Sequence, residues 1–134
     1  RRALQDLVAL DSAVRDTTLL VLPEALADFL DFNDFLDRAD AALDALDLVG
    51  VVQVASFHPD YQFAGTAPDD VTNCSNRAPY PTLHLLREES VARAVEAFPD
   101  AADIFERNMD TLRRLGQDGW ATLRVGPSQR EAGA

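Results

Sequence analysis

Apolar positions change spacing several times along the chain, and each change marks an element. In RRALQDLVAL (1–10) the residues Ala3, Leu4, Leu7, Val8 and Leu10 follow a helical repeat. Asp11 and Ser12 open a polar connection. TTLLVL (17–22) is short, apolar and partly β-branched, and Pro23 stops it, which predicts a buried strand. The longest periodic stretch comes next. Phe29, Phe32, Leu36, Ala39, Leu43 and Leu46 alternate steps of three and four, which at about 100° per residue puts them on one stripe. Pro23 suits a first helical turn and Glu24 its positive end, so this helix is expected to run from Pro23 to Leu46. Asp28, Asp31, Asp34, Asp37, Asp40, Asp44 and Asp47 lie mostly on the opposite side. Asp44 and Asp47 fall at the negative end of the helix dipole, so packing of the stripe must hold the helix.

After Gly50, VVQVASF (51–57) predicts a second buried strand. Residues 58–81, with their prolines, glycines, asparagines and aspartates, read as a long polar loop. TLHLLR (82–87) predicts a third strand, with a helix starting at Pro81 as the alternative. ESVARAVEAF (89–98) is helical up to Pro99, and Asp100 caps a further helix that ends on basic residues and Gly116. WATLRV (120–125) is read as a last strand, and GPSQREAGA (126–134) as a flexible tail. From residue 17 the order is strand, helix, strand, loop, strand, helix, helix, strand. The expected fold is α+β: a ferredoxin-like split βαβ sandwich, in one domain spanning 1–134, with a long loop between the second and third strands.

Charge narrows the partners. Twelve basic residues, all arginine, stand against 23 acidic ones, for a formal net charge of −11. Repulsion from phosphate argues against nucleic acid and against anionic membrane surfaces. The single cysteine, Cys74, excludes an intrachain disulfide. No apolar run approaches the roughly 18 residues of a membrane span. No charged-then-apolar leader opens the sequence, so a soluble cytoplasmic protein is expected.

The segment between Phe57 and His84 gathers the reactive residue types: both histidines, the cysteine, both tyrosines and Arg77. Loops this long in compact domains are usually functional or disordered. His58 suits proton transfer, because imidazole titrates near neutrality. Asp60 is placed to orient it, and Arg77 to clamp a carboxylate or phosphate. Tyr61 and Tyr80 can donate hydrogen bonds or stack on a planar ligand. The same residues have a structural reading: His-Pro-Asp as a turn, and Asn76 and the tyrosines as partners for loop carbonyls. Metal binding through His58, Cys74 and His84 is set aside for want of a ligand spacing motif, with His84 read as a core histidine. Cys74 is a poor nucleophile in acidic surroundings. The aspartates of the long helix are a solvated face, not a calcium loop. No residue pattern specifies a cofactor.

SFHPDYQFAG (56–65) and NRAPYPTLHLLRE (76–88) resemble the domain of unknown function 1415 family of bacteria and plants. DFLDFNDFLD (28–37) and ERNMDTLRRLG (106–116) are similar to it as well, so the resemblance covers nearly the whole chain. It implies little about activity. It implies that His58, Asp60, Tyr61, Gln62, Asn76, Arg77, Tyr80 and His84 are motif positions, whereas relatives carry tyrosine where Cys74 stands. Relatives also carry an N-terminal segment with a Cys-Pro-Phe motif that residues 1–134 lack, so a thiol or a strand supplied there is expected to be missing. Two functions follow as expectations. In one, an enzyme or binding protein takes a small polar or anionic metabolite, with His58, Asp60 and Tyr61 catalytic and Gln62, Asn76, Arg77, Tyr80 and His84 binding. In the other, the loop is the interface of a homo-oligomeric interaction module.

Overall fold

The three short apolar stretches pair as one antiparallel sheet. A computed structural model describes residues 1–98 and 100–125. In it β1 (Thr17–Val21), β2 (Val52–Phe57) and β3 (Thr82–Arg87) stand in the order β1-β3-β2. TLHLLR is therefore the central strand, and no helix starts at Pro81. Leu20 pairs with Leu83, and His84 faces Leu19 on one side and Ala55 on the other. Because side chains alternate faces, this register puts Leu20, Val52, Val54, Leu83 and Leu85 together on one face. There they meet α1 (Arg2–Ala9) and α2 (Phe29–Ala45), forming a core of Leu4, Leu7, Ala42, Leu43, Val52 and Leu85. On the opposite face Leu19 and Val21 remain 58% and 50% exposed.

Polar groups tie the helices to the sheet. The Arg87 guanidinium, at the end of β3, donates to the carbonyls of Leu7 (2.7 Å), Leu10 (2.8 Å) and Arg15 (2.8 Å). A cation thus sits on the unsatisfied carbonyls at the negative end of α1. No residue of α1 itself does this, since its last turn has no basic side chain.

α2 starts later than the expected Pro23. Its cap is Asp28, whose carboxylate accepts from the Asp31 amide at 3.0 Å. The preceding residues form a turn at Pro23, and Leu26 takes a left-handed φ of 57°. A proline and a glutamate suit a first helical turn, but an aspartate three residues ahead of an amide that needs an acceptor suits it better. The apolar stripe faces inward as expected, with Phe32 and Leu43 buried and the aspartates exposed.

Asp47 follows the α2 C-cap with φ 56°, a position where glycine is favoured, and places a negative charge on the negative helix end. Asp47→Gly is expected to stabilise the fold by about 1 kcal/mol, read as a higher urea midpoint. A lower midpoint would mean that the Asp47 side chain has a favourable role here.

α3 (Glu88–Ala97) and α4 (Ala101–Thr122) complete the described residues. The fourth strand expected over 120–125 is not formed: the chain is helical to Thr122 and then turns. Gly116 breaks α4 with φ 68° and ψ 174°, but helix resumes after it. The Gln117 side chain anchors the second piece by donating to the Asp69 carbonyl at 2.5 Å. Among the described residues the mixed helix and strand content is α+β, on three strands instead of four. The flexible tail expected over 126–134, and Pro99 itself, lie outside the described residues.

Candidate functional site

The connection from β2 to β3 is held together from within. It contains a 3-10 helix, Val71–Asn76, in place of the uninterrupted loop expected over 58–81. Asp70 caps it, accepting from the Thr72 hydroxyl at 2.7 Å and the Thr72 amide at 2.9 Å. Those two bonds, hydroxyl first, hold the Asp70 carboxyl below its ordinary value, with Arg113 adding a smaller pull in the same direction.

His58 opens the connection and is fully buried. The Asp60 amide donates to Nδ1 at 3.0 Å, so that nitrogen carries no proton. Nε2 therefore carries it and donates to the Leu26 carbonyl at 3.0 Å. The ring lies 5.0 Å from Phe32 and 5.3 Å from Phe29, centroid to centroid. Both nitrogens are thus engaged by backbone. Asp60 meets His58 through its amide and not, as the sequence suggests, through its carboxylate, which is exposed. This contact also explains the irregular approach to α2: the Leu26 carbonyl is turned toward the ring.

Asn73 is the second fully buried polar residue. Its Oδ1 accepts from the Phe63 amide at 2.9 Å and its Nδ2 donates to the Ala67 carbonyl at 2.9 Å. The Thr66 hydroxyl lies 2.7 Å from the Phe63 carbonyl and 2.9 Å from Asn73 Oδ1, and its one proton serves one of them. Gln62 Nε2 donates to the Thr66 carbonyl at 2.7 Å. One asparagine therefore closes the 63–67 turn onto the 3-10 helix. The sequence placed Asn73 in the polar segment without giving it this role.

Asn76 ties the segment back to the sheet, donating to the Ser56 carbonyl at 3.0 Å while its own carbonyl accepts from the His58 amide at 3.1 Å. Arg77 is held from behind: Nε donates to the Tyr61 carbonyl at 3.2 Å and one terminal nitrogen to the Pro68 carbonyl at 3.1 Å. Neither partner is a carboxylate, and Arg77 makes no ion pair with a described residue. The Tyr61 ring rests on Phe29 and Phe63, at 5.3 and 4.9 Å.

Arg77 borders an open cleft of about 330 Å³ between the 3-10 helix and α4. Ser75, Asn108, Thr111 and Trp120 line it too. Burial pushes the Cys74 thiol up despite an opposing pull from Arg77, which disfavours the thiolate there. Asn108, Thr111 and Trp120 are absent from the sequence-derived candidates. The first two stand three apart on a helix, and Trp120 is the one tryptophan of the chain, but neither feature signals a cleft without knowing what α4 packs against.

Gly116 positions Trp120. Its φ and ψ lie in a region that only glycine adopts readily, and an added Cβ would meet nothing within 4 Å. The cost of Gly116→Ala is thus a backbone cost, expected at about 1–3 kcal/mol. Chemical denaturation checks it; an unchanged midpoint would place no demand on this backbone conformation.

The remaining candidates lie apart. His84 sits in the middle of the sheet, its Nε2 2.6 Å from the Thr17 hydroxyl. The Tyr80 carbonyl accepts from the Thr82 hydroxyl at 2.9 Å. Among the described residues no group of three or more His, Cys, Asp or Glu side chains is placed to hold a metal ion, and no helix is long and apolar enough to cross a membrane.

Comparison with known proteins adds one match. A family model described as "Protein of unknown function (DUF1415)" matches residues 1–122. No curated protein and no solved structure matches the chain.

Proposed function

The chain belongs to the DUF1415 family, and on that premise we propose that it binds a small anionic metabolite in the cleft between the 3-10 helix and α4, with Arg77 as the clamp. The observation that carries this is the arginine itself. In a chain of net charge −11, its guanidinium is oriented by two carbonyls, has no described carboxylate, and borders an open cleft with hydrogen-bonding side chains in its lining. Guanidinium donors fixed from behind are pre-organised for a carboxylate or phosphate. Ser75, Asn108 and Thr111 supply neutral hydrogen-bonding groups, and the Trp120 indole supplies a flat apolar wall.

His58, Asp60, Tyr61, Gln62 and Asn76 act in this reading by holding Arg77 and its surroundings in place. Proton transfer by His58 would require its ring to give up Leu26 or Asp60 first, so binding is favoured over catalysis. The fold supports the finer reading of half a ferredoxin-like sandwich: β1 and β2 run parallel to each other with β3 between them. The other functional reading, assembly through the 57–84 segment, has less behind it. Among the described residues the large exposed apolar side chains, Val14, Leu30 and Val49 foremost, all lie outside that segment.

Thermal melts against a panel of small carboxylates, phosphate and phosphate monoesters test the proposal. At least one anion is expected to raise the wild-type melting temperature, and Arg77→Ala to abolish that rise. A rise that survives in Arg77→Ala places the anion elsewhere.

A further inference from the structure

A second cavity lies between α1 and α2, above the sheet. Its volume is about 410 Å³, within the range of small-molecule sites. Leu20, Val54, Leu83 and Leu85 form its floor, and Leu4 and Phe35 stand at its sides. Between the flanking Phe35 and Arg38 side chains, Ala39, Ala41 and Ala42 of α2 contribute only methyl groups, which leaves the space open. A leucine at any of these positions would take up part of it.

Two arginines, Arg1 and Arg38, border this otherwise apolar space. Neither is ion-paired with a described carboxylate, although Arg38 shares α2 with Asp34, Asp37 and Asp40. An apolar cavity edged by unpaired guanidinium groups has the chemistry of one ligand class: a chain of methylenes ending in an anion. We propose that the cavity binds a monomeric amphiphile with a single unbranched acyl chain and a carboxylate head, the chain on the sheet and the head at Arg38 and Arg1. This site shares no lining residue with the Arg77 cleft, so the two proposals stand or fall separately.

Calorimetric titration with hexanoate, octanoate and decanoate below their micelle concentrations tests it. Each buried methylene is worth about 0.8 kcal/mol, so affinity is expected to rise about fourfold per methylene, or roughly 15-fold per two-carbon step. Octylamine, with the opposite head charge, is expected to bind at least about tenfold more weakly than octanoate. Arg38→Gln, on an exposed position, is expected to cost octanoate about tenfold. Ala39→Phe is expected to fill the cavity and abolish binding while circular dichroism stays native. If Ala39→Phe unfolds, Arg38→Gln and the chain-length series still decide. Arg77→Ala is expected to leave octanoate affinity unchanged. Affinity independent of chain length, equal affinity for amine and carboxylate, or octanoate binding untouched by Arg38→Gln overturns the proposal. So does binding to anionic lipid vesicles with none to monomeric decanoate.

Discussion

His58→Ala is expected to lower the stability of the fold by about 3–5 kcal/mol. Two separate losses add up to that figure. The imidazole is fully buried against Phe29 and Phe32, so truncation leaves a void that the surrounding rings fill only in part. Its two hydrogen bonds go to backbone groups, the Leu26 carbonyl and the Asp60 amide, and both are stranded when the ring is removed. Leu26 is also held with a positive φ, a conformation that nothing but its surroundings enforces. The approach to α2 is therefore expected to loosen together with the start of the β2–β3 connection. The size of the effect discriminates between roles. A solvent-facing acid/base histidine would be replaced at a cost within about 0.5 kcal/mol. Equilibrium urea unfolding reads the difference directly, and a loss below about 1 kcal/mol would remove His58 from the structural role described above.

Asn73→Ala is expected to cost about 3 kcal/mol, for a different reason. Little volume is lost, but the Phe63 amide and the Ala67 carbonyl lose their buried partner at once, and the Thr66 hydroxyl keeps only one acceptor. An unmatched buried donor or acceptor costs about 1–3 kcal/mol. The near-isosteric Asn73→Asp separates the two sides of the amide. It keeps the acceptor for Phe63 and sets an oxygen against the Ala67 carbonyl, so it is expected to be destabilising as well. Hydrogen exchange at the Phe63 and Asn73 amides locates the damage. Faster exchange confined to residues 60–76 in Asn73→Ala is the expected pattern, and a uniform change across the sheet would assign Asn73 a global role instead.

The strands and the stripe of α2 were legible because burial imposes short periods, two in a strand and near 3.6 in a helix. Leu20, Leu83, Leu85 and Val54 obey the first, and Phe32 and Leu43 the second. Boundaries were less legible. The start of α2 depends on whether Asp28 or Pro23 ends the turn, and the competing demand, the His58 ring reaching Leu26, lies 32 residues away. The segment 120–125 has strand-like composition, but Gly116 redirects α4 and helix continues to Thr122, a choice made by tertiary contacts such as Gln117 with Asp69. The polar connection could be located by its residue types. The employment of each residue could not, because His58, Asn73, Asn76 and Arg77 all bond to backbone groups whose positions only the folded chain defines. The cleft beside Arg77 needs α4 as its other wall, so Asn108, Thr111, Leu112 and Trp120 are not legible from residues 57–84 alone.

In the proposed function the β2–β3 connection is a rigid support presenting Arg77 to an anion. Trp120 lines the same cleft and is the one tryptophan of the chain, so its emission reports on that site alone. The decisive measurement is indole fluorescence during titration with phosphate, phosphate monoesters and small dicarboxylates at constant ionic strength, for wild type and Arg77→Gln. A saturable change is expected with at least one of these anions in the wild type and with none in Arg77→Gln, with both proteins equally folded. A wild-type emission indifferent to every anion, or an identical titration curve in Arg77→Gln, would contradict it.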